Sequence, residues 1–181
     1  MSRLTALCLG GLVGGLIPAL FGACGHSAYL AGIVAGPQAT GHTVVLETNT
    51  GDEVPLQGDL ASELAHVPGA MVRVEGRLRG HGERQRLNVT AYRLLDAGKG
   101  VPPHVGKLYW DGTRLLLIEE ETGTAVELRG RAVTTLRRQT GAKAWIVGPV
   151  INIEILEVVD YGILREAPRA SSSSENGKTG P

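Results

Sequence analysis

The sequence predicts an all-β chain: two tandem five-stranded barrels with one short helix apiece, behind an N-terminal export signal. Three observations lead there. Shifting the sequence by 72 positions lays Thr43 to Leu78 on Leu115 to Val150 without a gap, and ten of the 36 pairs are identical, where average composition gives roughly three. Apolar residues recur mostly at every second position, the period of a half-buried strand. The segments also fall twice in one order: strand, strand, strand, helix, strand, strand. The ten identities are Glu47/Glu119, Thr50/Thr122, Gly51/Gly123, Val54/Val126, Leu56/Leu128, Gly58/Gly130, Leu64/Leu136, Gly69/Gly141, Ala70/Ala142 and Gly76/Gly148. They are mostly turn glycines and core apolar residues, so the duplicated object is a fold.

In the first copy, residues 28–96, Tyr29 to Val34 reads as a strand, Pro37 to Gly41 as a loop and Thr43 to Thr48 as a second strand. Asn49-Thr50-Gly51-Asp52 is a hairpin turn, since Asn and Gly tolerate positive φ, and Glu53 to Leu56 is the third strand. A helix follows, with Asp59 as its cap and Leu60, Leu64 and Val67 on one face, ended by Pro68-Gly69. Met71 to Arg79 is the fourth strand, with Arg73, Glu75, Arg77 and Arg79 facing outward, and Leu87 to Leu95 the fifth.

The second copy, residues 104–165, repeats the series at Val105 to Tyr109, Arg114 to Glu119, Ala125 to Leu128, a helix near Ala132 to Arg138, Lys143 to Val150, and Ile153 to Leu164. Its last strand aligns at an offset of 69, so three residues are lost between strands four and five. Residues 97–103, with two glycines and two prolines, form a short, partly stiff linker. Residues 166–181, with Ser171 to Ser174, read as a disordered polar tail.

Residues 1–23 carry an early Arg3, an uncharged stretch from Leu4 to Phe21 and small residues before Cys24. Leu20-Phe21-Gly22-Ala23-Cys24 resembles a bacterial lipobox, with Phe21 departing from the usual Leu. The resemblance implies cleavage before Cys24, its acylation with fatty chains such as palmitate, and attachment to a membrane facing the periplasm. Gly25 in place of Asp points to the outer membrane. The same stretch also fits a plain secretory signal cut near Ala23, or an uncleaved membrane helix of about 20 residues. Both cysteines, Cys8 and Cys24, lie in this segment, which leaves the body without an internal disulfide.

The strand–helix–strand order is that of an OB-fold, whose helix plugs the barrel between strands three and four. The body is similar to the small periplasmic OB-fold families of exported bacterial proteins. The haem chaperone of cytochrome c maturation shares the pattern, but its haem-bearing His-acidic-x-x-Tyr segment has no match in this sequence. The resemblance implies a binding or assembly module without a cofactor, and does not name a ligand.

Formal charge is zero, with 18 basic and 18 acidic residues, so no global field selects a partner. Nucleic-acid binding by an OB barrel calls for aromatic platforms and a basic groove. Strand two has no aromatic residue in either copy and carries Glu119-Glu120-Glu121 in the second, and nucleic acid is therefore excluded as a partner. The five histidines are scattered and no nucleophile motif is present, so neither a metal site nor an enzyme is expected.

Three differences between the copies supply the candidate sites. The outward series Arg73, Glu75, Arg77 becomes Trp145, Val147, Pro149. An apolar outward face is normally covered, by the first barrel or by a partner protein. Tyr109 and Trp110 are apolar at the rim between strands one and two, so Trp145, Val147, Tyr109 and Trp110 are the candidate partner-binding residues. Arg77, Arg79, His81, Arg84 and Arg86 surround the loop between strands four and five of the first copy. They are either an anion site or a solvated hairpin tip with Glu83 as counterion; Arg129, Arg131, Arg137, Arg138 and Lys143 in the second copy read the same way. The expected function is a lipid-anchored, non-enzymatic interaction or scaffold module of an envelope assembly. The alternative is a periplasmic binder of an anionic lipid or glycan.

Overall fold

The computed structural model describes residues 26–36 and 43–168. The export segment with Cys24, the loop 37–42, the tail from 169 and the side chains of His26 and Glu83 lie outside the described part.

The first barrel contains β1 (His26–Ala35), β2 (Val45–Thr48), β3 (Glu53–Gln57), α1 (Asp59–Leu64), β4 (Met71–Arg79) and β5 (Arg86–Asp96). The strands close in the order β1-β2-β3-β5-β4, with α1 between strands three and four. This is an OB-type barrel. Leu46, Leu64, Val72, Val74 and Leu87, all fully buried, fill it. The helix is not capped by Asp59. Gly58 holds the cap position at φ 95 and Asp59 is the first helical residue, its carboxylate complementing the positive end of the helix. Gly76 lets β4 cross β5 closely: a Cβ there would lie 2.3 Å from the Asn88 carbonyl oxygen.

The second barrel contains β6 (His104–Trp110), β7 (Leu115–Glu119), β8 (Ala125–Arg129), α2 (Val133–Arg137), β9 (Lys143–Val147), β10 (Val150–Asn152), β11 (Ile155–Glu157) and β12 (Asp160–Arg165). These strands form one seven-stranded sheet in the order β10-β11-β8-β7-β6-β9-β12, in place of the closed five-stranded barrel expected. Only the first half closes through its strand ladders, and the second is a barrel by its matching strand–helix–strand order. The single fifth strand expected from Ile153 to Leu164 is in fact two. Its first half, β11, runs parallel to β8, and its second half, β12, runs antiparallel to β9. Between them the Val158 N–H donates to the Arg129 carbonyl and the Val159 N–H to the Val147 carbonyl. The fourth strand ends at Val147, because Gly148 passes directly against the Glu157 carbonyl and the chain then turns into β10.

The two barrels share a core. Ala144 and Ile146 point into the second barrel, whereas Trp145, Val147 and Leu164 belong to the apolar cluster of the first. β12 packs against α1, and the His66 imidazole bonds the Leu164 carbonyl oxygen at 2.8 Å. Trp145 lies across Gly162, its cross-strand partner, where a Cβ would meet the indole nitrogen at 2.5 Å.

Candidate functional site

The outward face of β9 is the joint between the barrels. Trp145 and Val147 are only 8% and 7% exposed, buried against the first barrel. Their assignment as partner-binding residues is therefore corrected: the apolar face is covered by the chain's own other half. Tyr109 and Trp110 point to opposite sides of β6. Tyr109 is exposed, while Trp110 packs on the second core with the Arg137 guanidinium 3.9 Å from its ring centroid. They form no common patch.

Around this joint is a set of buried charges. Glu63 on α1 and Lys143 on β9 are the buried charged residues of the described part, and they meet at 3.0 Å. The Lys143 ammonium also contacts Glu120 at 2.7 Å and sits 4.7 Å from the Tyr92 ring centroid. The second oxygen of Glu63 takes Arg165 at 3.1 Å, and the Tyr92 hydroxyl donates to Glu63 at 2.6 Å. Two carboxylates and two cations balance: Glu63 meets Lys143 and Arg165 across the joint, while the exposed Glu120 supports Lys143 from its own half. Burial, reinforced by the Glu63 carboxylate, pushes the Tyr92 phenol far above its ordinary value, so at neutral pH it is a fixed hydrogen-bond donor. A cleft of about 580 Å³ opens beside it, lined by Tyr92, Arg93, Pro103, His104, Glu120 and Lys143. The ionic groups of Glu63, Glu120, Lys143 and Arg165 are all partnered, so the set ties the two halves together as a lock.

The sequence contained a signal for this lock. Glu63 falls on the apolar stripe of α1, at the spacing Leu60, Glu63, Leu64, Val67, and Lys143 shares the outward face of β9 with Trp145 and Val147. A charge on an otherwise apolar stripe calls for a buried partner, and here each is the other's.

The acidic run on strand two is also absorbed internally. Glu119 accepts from His104 at 2.6 Å and from Thr122 at 2.8 Å. The bond from His104, helped by Thr122, holds its carboxyl below the usual range against a smaller effect of burial. Glu121 pairs with Arg93 at 2.8 Å.

Equivalent loops of the two barrels present contrasting exposed surfaces. In the first barrel, Arg79 stands directly opposite Arg86 across the β4–β5 ladder, with Arg77 and Arg84 beside them; all four are exposed. In the second barrel the corresponding segment is β10 and its turn, where Val150, Ile151 and Ile153 are exposed, Ile153 at 92%, and Val159 nearby is exposed too. β10 is an outermost strand of its sheet. Of the second basic group, Lys143 is buried in the joint, Arg129 pairs with Glu127 at 2.7 Å and Arg137 lies over Trp110.

No family model matches the chain, and no curated protein matches it. It is similar to a solved structure of a deletion mutant of the single-stranded DNA binding protein from Thermus aquaticus, at 19% identity and a TM-score of 0.24, covering 82% of this chain and 97% of that one. The exclusion of nucleic acid is corrected on this finding. One part of its premise changes too: the acids that were read as repelling phosphate are paired, while strand two has no aromatic residue in either copy. A likeness of this weakness carries no inference about what this chain binds.

Proposed function

We propose that the chain is a lipid-anchored, non-enzymatic interaction module of the cell envelope, tethered through Cys24, whose second barrel offers the free edge of β10 to a protein partner. The observation that carries this reading is the apolar edge itself: Val150, Ile151 and Ile153 are exposed on and just after an outermost strand. Natural β-proteins blunt such edges with short strands, charge, proline or cover. β10 has three residues after Pro149, yet its apolar side chains stay exposed, and such an edge can add a strand from another chain. The buried lock between the barrels supports the reading, since it fixes the edge relative to the rest of the molecule.

The test is a photo-crosslinking residue at Ile153, with Thr113 on the β6–β7 turn as control, in full-length protein in its native membranes. The expected result is one adduct of defined mass from position 153 only, abolished by Ile151→Lys without a change in melting temperature. Equal labelling from both positions, or none, overturns the edge as the contact. A second reading, binding of an anionic ligand, is favoured by the Arg79–Arg86 opposition.

A further inference from the structure

Strand register brings the chain's entry point and the basic hairpin to the same end of the first barrel. β1 and β4 are antiparallel, so His26 lies opposite Leu78 and Ser27 opposite Arg77. Cys24 precedes His26 by two residues, at most about 7 Å of extended chain. Arg79 and Arg86 form the next rung of the β4–β5 ladder after Leu78 and Leu87, and Arg84 sits in the turn that joins the strands. The other end of β4 lies beside the linker to the second barrel: Met71 pairs with Asp96, the last residue of β5, from which the linker leads to β6. The nine residues of β4 hold these ends roughly 26 Å apart.

Like charges directly opposite each other destabilise a ladder. Among the described residues, no ion pair holds Arg77, Arg79, Arg84 or Arg86. Glu83 in the same turn supplies one negative charge against these four arginines, and guanidinium groups suit phosphate oxygens as a further countercharge, which they bind in parallel pairs of bonds. Basic clusters close to a membrane attachment point are drawn to anionic headgroups, and the attraction acts within about a Debye length of the surface.

We infer that the β4–β5 hairpin of the first barrel is a headgroup site: phosphate-bearing anionic lipids of the leaflet that holds Cys24 engage Arg77, Arg79, Arg84 and Arg86. The contact stands the molecule upright, with the second barrel and the β10 edge directed away from the bilayer. The inference rests on the anchored reading above and adds the lipid class and the orientation.

The test uses the full chain in nanodiscs of phosphatidylcholine with or without phosphatidylglycerol. An environment-sensitive dye is placed at Gln85→Cys in the hairpin or at Thr113→Cys in the second barrel, and the N-terminal peptide is weighed on the same sample. The expected result is an acylated Cys24 and a Gln85 dye that enters the headgroups only in anionic discs, while the Thr113 dye stays in water. Arg79→Gln and Arg84→Gln should each lower the bound-to-free ratio by about fivefold, and added salt should lower it further. A Gln85 dye that reads the same in both discs overturns the headgroup site, while an acylated N-terminus leaves the anchor standing. An unacylated N-terminus with the same anionic response keeps the headgroup site and removes the anchor. Displacement of the dye by a single-stranded oligonucleotide at equal phosphate concentration overturns lipid as the occupant.

Discussion

Strand four exists twice in this molecule, and its two copies share an inward face and nothing else. In β4, Val72 and Val74 are buried while Arg73 and Arg77 stand in water; in β9, all five residues are buried. The inward residues make a barrel in both cases. The outward ones decide whether that barrel meets solvent or another barrel. Duplication supplied two equal cores, and the difference between the copies lies in what each turns outward.

Exchanging weights between the copies breaks the comparison most strongly. Trp145→Ala removes a large side chain from the shared core and should cost about 3–5 kcal/mol, whereas Arg73→Ala at the equivalent position should stay within about 0.5 kcal/mol. Urea midpoints of the two variants check this. Equal losses would mean that the joint contributes nothing to stability.

The lock is expected to be next in size. Glu63→Gln removes the buried countercharge of Lys143, which keeps only the exposed Glu120, and that of Arg165, and should cost about 3 kcal/mol, near the lower end for breaking a buried pair. Thr135→Gln, at the equivalent exposed position of α2, should be close to neutral. A Glu63→Gln variant as stable as the parent would show that the pair is solvated.

A smaller effect sharpens the picture through pH. Because the folded state holds the Tyr92 phenol above its ordinary value of 10.0, the stability it contributes is complete below pH 10.0 and is lost as pH rises beyond that. Tyr92→Phe should cost about 1.5 kcal/mol at neutral pH, as for a hydrogen bond to a charged group, and should flatten the alkaline limb of a stability–pH curve. An unchanged alkaline limb would detach the phenol from the lock.

The sequence is most readable where one physical cause has one outcome. Gly76 and Gly148 recur because each strand four crosses strand five too closely for a Cβ, and Leu64 and Leu136 recur because each helix plugs a barrel. Trp145 and Val147 mark a covered face, but an apolar strand face looks the same whether its cover is the same chain or another. The break in the last strand escaped periodicity because β11 and β12 keep the alternation of a single strand while changing neighbours. The acidic run on strand two misled for a related reason: charge counts show carboxylates, not the His104, Lys143 and Arg93 groups that fold onto them. The apolar β10 edge, Val150–Asn152, falls on the end of the expected fourth strand and the gap before the fifth, where the sequence reads as a turn.

The first barrel's core has a further consequence for the order of assembly. Trp145, Val147 and Leu164 complete that core, yet they are among the last of the described residues to leave a ribosome or a translocation channel. Domains generally fold from the N-terminus as they emerge. Here the residues that finish the cluster containing Leu60 and Val67 are encoded some hundred residues later. A chain stopped at the linker has all five strands of its barrel but leaves the cluster around α1 without Trp145, Val147 and Leu164.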